Sequence, residues 1–249
     1  MFELDGKVAL VTGAGQNIGE GISHALARQG AIVAVNDYHP ERAQRVVDDI
    51  NAAGRRAIAA PFDVTDLPAV TDAFAKVTEQ VGPVDILING AGNGGPGEQL
   101  HQYTFREMPI EYWQTTISVN LFGVLNCCKA AIGSMADRGW GRIVTLSSGA
   151  GETGLNLGVS TYGAAKGGAT AFMRHLAVEN AAQGVTANTI ALGMVLKDTT
   201  GVAEMAAAIP AGRVGRPEDV GALAVYLVSP EASWITGQTI NLNGGAFIK

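Results

Sequence analysis

Residues 11–21 read VTGAGQNIGEG. They close an apolar run, KVALVTG at 7–13, and open a stretch with helical periodicity, so Gly13, Gly15 and Gly19 fall in the turn between a strand and a helix. A helix N-terminus presents free N–H groups and a dipole that favour negative charge, and glycine lets a pyrophosphate approach the backbone without a Cβ in the way. The G-x-G-x-x-x-G spacing in this context predicts a dinucleotide cradle formed by Gly13, Gln16, Asn17, Ile18 and Gly19. A glycine-rich turn without a ligand is the alternative for a lone motif of this kind, and the residues further along the chain decide between the two.

Outward from this turn, short β-branched runs alternate with helix-period stretches. AIVAVND (31–37), RAIAAPFDV (56–64), VDILING (84–90), GRIVTLSS (141–148), VTANTIAL (185–192) and QTINLN (238–243) join the first run as seven strands. Their unbroken apolar character suggests parallel strands covered on both faces. Ala43, Val46, Val47 and Ile50, and later Val220, Leu223, Ala224, Leu227 and Val228, recur at the spacing of one-sided helices. The pattern predicts a single-domain α/β fold over 1–249: a Rossmann-like, doubly wound sheet of seven parallel strands flanked by helices.

Composition narrows the partners. Of the 249 residues, 17 are Lys or Arg and 23 Asp or Glu, for a net charge of -6, and no basic run offsets this balance, which argues against nucleic acid. The acidic start MFELDG is unlike a targeting segment and no apolar run approaches spanning length, so neither membrane insertion nor export is expected, and a cytoplasmic protein is. Cys127 and Cys128, adjacent in an apolar stretch, read as reduced packing residues. His24, His39, His101 and His175 show no metal-ligand grouping, so no metal is expected.

Asp37 ends the second strand, where a dinucleotide fold brings a side chain to the adenosine ribose. A carboxylate there accepts from the ribose hydroxyls and repels a 2'-phosphate, which selects NAD over NADP. The third strand ends in FDVTD, placing Asp63 and Val64 for contact with adenine; capping of the next helix is the alternative role for Asp63.

In STYGAAKGG (160–168), Tyr162 and Lys166 stand four apart on a helical stretch and therefore share a face. An ammonium beside a phenol favours the phenolate, which would make Tyr162 a usable base near neutral pH. Ser148 lies just past the fifth strand, at the carboxyl edge where open α/β sheets hold ligands, although Ser147 and Ser148 could simply turn the chain. Trp113, Ile117, Leu121, Val124 and Cys128 define an inward helical stripe with Asn120 inside it. A buried amide there must be hydrogen-bonded, either to support a kink or to carry a water toward Lys166.

Taken together, TGAGQNIG (12–19), NGAG (89–92), Asn120, Ser148, Tyr162, Lys166, RVGRPEDV (213–220) and ASWITGQTINLNGG (232–245) resemble the classical short-chain dehydrogenases/reductases from about residue 3 to about 245. The resemblance implies hydride transfer between the nicotinamide and a secondary alcohol or ketone. Tyr162 would exchange the hydroxyl proton, Lys166 bind the nicotinamide ribose and lower the Tyr162 pKa, Ser148 orient the substrate oxygen and Asn120 complete a proton relay. It further implies cofactor contacts from Asn89, Gly90, Ala91, Gly193 and Val195, and a homotetramer built on the helices that carry Asn120 and Tyr162. Four positions depart from the family pattern: Asn17 replaces a glycine, Gly90 an asparagine, Leu192 a proline and Lys197 a threonine. The Ser148–Tyr162 interval is one residue longer than usual, and the segment 93–112 is about six residues longer. The mostly apolar lid candidate 198–213, with Met205 and Ile209, suggests a small-molecule substrate with an apolar body: a 3-hydroxyacyl or 3-oxoacyl thioester, a steroid-like ring or a cyclic alcohol. Two other classes stand beside this one. A dinucleotide-sensing protein without turnover would not need the Asn-Ser-Tyr-Lys set, and a sugar-nucleotide epimerase or dehydratase would carry more chain beyond LNGG.

Overall fold

The computed structural model of the protein describes residues 1–92 and 100–248. Seven strands, β1 (Val8–Val11), β2 (Ile32–Val35), β3 (Ala57–Ala59), β4 (Ile86–Asn89), β5 (Gly141–Ser148), β6 (Val185–Leu192) and β7 (Thr239–Leu242), pair in parallel in the order β3-β2-β1-β4-β5-β6-β7. The period of two is visible in β1: Ala9 and Val11 enter one core, Val8 and Leu10 the other. Helices α1 (Asn17–Arg28), α2 (Pro40–Ala52) and, later in the chain, α8 (Pro217–Val228) cover the first face. Helices α3 (Leu67–Val81), α5 (Gly123–Asp137) and α6 (Ser160–Asn180) cover the second, and the short helices α4 (Ile110–Ile117) and α7 (Ala203–Ala207) lie outside these layers. From β1 the chain runs outward to β2 and β3, then returns to β4 on the other side of β1, so the turns after β1 and β4 diverge and leave a crevice between them.

The expected third strand, 56–64, is longer than the one formed. β3 stops at Ala59, the Ala60 N–H still reaches the Val35 carbonyl at 2.9 Å, and Pro61 then has no N–H to offer a ladder. Asp66 rather than Asp63 caps α3, accepting from the Ala69 N–H at 3.2 Å; Asp63 instead accepts from the Thr65 N–H and hydroxyl, both at 2.8 Å.

The expected stripe Trp113–Ile117–Leu121 is also out of phase. Tyr112, Thr116, Val119 and Asn120 are the buried residues, followed by Val124, Cys127, Cys128, Ala131 and Met135. Beyond it Val124 and Cys128 are buried as expected; a π-helical segment, Ser118–Phe122, adds a residue between the two halves, so one regular helical spacing cannot phase both. Asn120 Nδ2 donates to the Thr116 carbonyl at 2.9 Å inside this segment. Helix, π-turn and helix form one continuous run, Ile110–Asp137, whose 28 residues pass the length and composition test for a membrane span that no run was expected to approach. Its inward residues from Val124 to Met135 are packed on the sheet, as in the core helix of a globular protein.

The two cysteines are free thiols sealed in this core, and burial pushes the Cys128 thiol up to about 12 and Cys127 higher still, so neither supplies a thiolate. Because α6 presents Met173 to the second core and Val178 to the surface, Met173→Ala is expected to lower stability by about 2–4 kcal/mol and Val178→Ala to change it by less than about 0.5 kcal/mol in urea unfolding.

Candidate active site

The crevice is a cleft of about 720 Å³. Its floor is the turn after β1. Gly13 has φ +63° and lies against the turn after β4, so that a Cβ on it would sit 2.8 Å from Ala91 Cα; a Cβ on Gly19 would run into the Gly13 carbonyl. Thr12 Oγ1 fastens the two turns by accepting from the N–H groups of Gly90 (3.1 Å) and Ala91 (3.2 Å). Gly90 replaces the family's asparagine where a Cβ would lie 2.6 Å from the Thr12 carbonyl. Asn17 takes the place of a family glycine with φ +49°, in the left-handed region that asparagine tolerates better than most residues. The two departures thus differ: Asn17 occupies a conformation it tolerates, whereas the turn at Gly90 is tighter than a residue with a Cβ allows. The floor combines a narrow backbone cradle with the unpaired first amides of α1, which fits a pyrophosphate.

Asp37 stands at the end of β2, almost wholly buried, and is fixed by two backbone donors: Gly15 N–H at 3.1 Å and His39 N–H at 2.9 Å. Arg42 lines the same end of the cleft and packs so closely that a Cβ on Gly15 would lie 2.6 Å from both Arg42 Cβ and Asp37 Oδ2. No local motif marks Arg42; its signal would have been its place in the first turn of α2, which starts beside Asp37.

At the other end, β5 and α6 bring Ser148, Tyr162 and Lys166 together on the cleft wall. Ser148 Oγ accepts from the Ala150 N–H at 3.2 Å and its hydroxyl is hydrogen-bonded to Tyr162. Ser147 turns the other way: its hydroxyl donates to the Lys166 carbonyl at 3.3 Å and accepts from Thr170 at 3.1 Å, so Ser148 is the serine beside Tyr162. Lys166 Nζ donates to the Leu146 carbonyl at 2.8 Å and lies 5.7 Å from the Tyr162 ring centroid. A Cβ on Gly92 would touch both Asn120 Oδ1 (2.9 Å) and Lys166 Nζ (3.1 Å), which places Asn120 behind the lysine.

The expected direction of the Tyr162 shift is reversed here. Burial pushes the phenol above its usual value and the Ser148 hydrogen bond only partly offsets this. The ammonium faces a carbonyl rather than the phenol oxygen, and burial brings Lys166 itself down to about 8.

Gly13, Gln16, Asn17, Ile18, Gly19, Asp37, Asp63, Val64, Gly90, Ala91, Gly193 and Val195 all line the cleft. Asn89 does not: its Nδ2 donates to Thr145 Oγ1 at 3.1 Å and Cys128 Sγ at 3.4 Å, locking β4 to β5 and α5. Asn120 is fully buried behind the wall. In the lid candidate, Met205 is exposed but Ile209 is buried, with its Cγ2 2.8 Å from where a Gly244 Cβ would be, so Ile209 packs the C-terminal segment instead of facing a substrate. Within 93–112, residues 93–99 lie outside the described residues. From Tyr103 onward the segment is tied to the loop after β5 by the Tyr103 N–H bond to the Gly158 carbonyl at 2.9 Å. His24 comes near Glu20 and Asp49, but both carboxylates are already paired with Arg45.

Comparison with known proteins shows what this arrangement is similar to. The short chain dehydrogenase family profile matches residues 7–207. Nodulation protein G of Azospirillum brasilense is 37% identical, covering 96% of this chain and 97% of its own. The 3-oxoacyl-[acyl-carrier-protein] reductase FabG of Escherichia coli is 35% identical, covering 99% and 100%. A gluconate 5-dehydrogenase from Burkholderia cenocepacia, solved in complex with NADP and tartrate, superposes with a TM-score of 0.89 at 29% identity, covering 98% of this chain and 96% of its own.

The buried lysine gives a pH-dependent stability. Its folded pKa of about 8 lies below the ordinary lysine value of 10.5, so the unfolded chain binds more protons between these values and wild-type stability gains from this group as pH rises through that window. Lys166→Met is expected to melt several degrees higher than wild type at pH 7, roughly, with the gap narrowing from pH 8 to pH 10 in thermal scans.

Proposed function

The chain belongs to the short-chain dehydrogenase family, and on that premise we propose that it is an NAD(H)-dependent oxidoreductase that interconverts a secondary alcohol and a ketone. The observation that carries this reading is the meeting of Ser148, Tyr162 and Lys166 on one wall of a cleft whose floor fits a dinucleotide. The dinucleotide, when bound, supplies the hydride acceptor or donor. The chain's own residues manage the proton and the substrate oxygen. Ser148, with its oxygen already accepting from the Ala150 N–H, keeps its proton to donate, and holds either the phenol oxygen or the substrate oxygen. Tyr162 takes the hydroxyl proton in oxidation and returns it in reduction. Lys166 binds the nicotinamide ribose and supports the phenolate by its charge, and Asn120, adjacent across Gly92, continues the relay behind it.

The choice of NAD rests on Asp37. Two backbone amides hold the carboxylate in place, so it cannot swing aside, and a 2'-phosphate would meet a fixed negative charge. Arg42 is the opposing influence, and the Burkholderia relative's NADP complex makes the balance between these two residues the quantity to measure. The substrate we propose has an apolar body, of the 3-hydroxyacyl, steroid-like or cyclic-alcohol kind. The exposed Met205 of the lid candidate and the 3-oxoacyl reductase relatives support that class. The exposed alanines Ala164 and Ala171 on α6 suit the close helix contact that a homotetramer requires.

The test is NADH formation from hydroxyacyl thioesters, hydroxysteroids and cyclic alcohols. Turnover is expected with NAD, to fall at least about a thousandfold in Tyr162→Phe while NAD binding persists, and to shift toward NADP in Asp37→Ser, where Arg42 is left unopposed. NAD binding without turnover on any substrate would favour the sensing protein instead.

A further inference from the structure

A second group of charges borders the cleft. Glu20, in the first turn of α1 and only 8% exposed, accepts from Lys197 Nζ at 3.0 and 2.9 Å on its two oxygens and from the Arg45 guanidinium at 3.2 and 3.1 Å. Burial alone would raise the Glu20 pKa; the hydrogen bonds and charges of Arg45 and Lys197 outweigh it and hold the carboxyl below its usual range. The two cations differ in how they are held. Arg45 is committed on every side, forking onto Glu20, pairing with Asp49 at 3.1 Å and donating to the Gly15 carbonyl at 2.9 Å, so it braces the glycine turn. Lys197 comes from the segment after β6, 177 residues from Glu20 in sequence, and Glu20 is its only hydrogen-bonding partner among the described residues. Its side chain is 57% exposed and it lines the cleft alongside the first turn of α1.

Lys197 can leave Glu20 without stranding a buried charge, because Arg45 keeps both carboxylate oxygens bonded. The destination lies in the same cleft: the turn before α1 fits a pyrophosphate and carries no basic residue of its own. We propose that Lys197 is a cofactor-binding cation, parked on Glu20 in the open cleft and transferred to the pyrophosphate when a dinucleotide enters. This rests on the dinucleotide reading given above and adds a residue to it. The exchange of one ionic partner for another also draws the segment after β6 over the cofactor, since Lys197 lies four residues beyond Gly193 in the cleft wall.

Calorimetric binding of ADP and of adenosine to the full chain separates the possibilities. Lys197→Met should weaken ADP about tenfold and leave adenosine within about twofold, and Lys197→Arg should restore most of the ADP affinity. ADP binding unchanged in Lys197→Met, or ADP and adenosine weakened alike, would overturn the proposal and leave the lysine a structural tie. Failure of the wild-type protein to bind ADP at all would instead overturn the dinucleotide reading on which it rests.

Discussion

The closeness of two turns governs this structure. The turn after β1 and the turn after β4 touch at Gly13 and Ala91, at a distance that leaves no room for a side chain on Gly13, and Thr12 pins them with one hydroxyl. Because the strand order reverses between β1 and β4, this contact forms the floor of the only kind of crevice a doubly wound sheet provides. α1 starts from it, Asp37 is bonded to it through Gly15, and Arg45 braces it from α2 through the Gly15 carbonyl. The end of the cleft beside Asp37 is thus organised by backbone groups with little freedom to move.

The end of the cleft that holds Tyr162 is built differently. Tyr162 and Lys166 lie on one face of α6, but burial acts on both in directions that oppose activation: it raises the phenol and lowers the ammonium. The lysine spends its hydrogen bond on the Leu146 carbonyl. On the proposed reading, the protein alone positions Tyr162 for proton transfer without ionising it. A ribose to draw the lysine forward and a cationic nicotinamide beside the phenol would complete the activation, which confines the base to the state in which a hydride acceptor is present.

The seven strands, the glycine turn, the α2 stripe and the Asp37, Ser148, Tyr162 and Lys166 positions were legible because each follows from local periodicity or from spacing against a strand end. What escaped depends on tertiary context. The π-segment at Asn120 shifts the helical phase by one residue, and no periodicity computed on a regular helix can show that. The Asn89 side chain reads as part of a turn motif, yet its neighbours on β5 and α5 supply the partners that draw it inward. Ile209 looks like lid and is packing, because the C-terminal segment returns over it. The Lys197–Glu20 pair joins positions too distant in sequence for any local pattern to connect.

On the proposed mechanism, cofactor binding rather than the fold alone ionises Tyr162. The direct measurement is phenolate absorbance as a function of pH, taken as the difference between wild type and Tyr162→Phe, first without and then with saturating NAD. The Tyr162 phenolate is expected only above the ordinary phenol value of about 10 without cofactor and well below it with NAD bound. The same titration curve in both states, or a phenolate near neutral pH without cofactor, would contradict it.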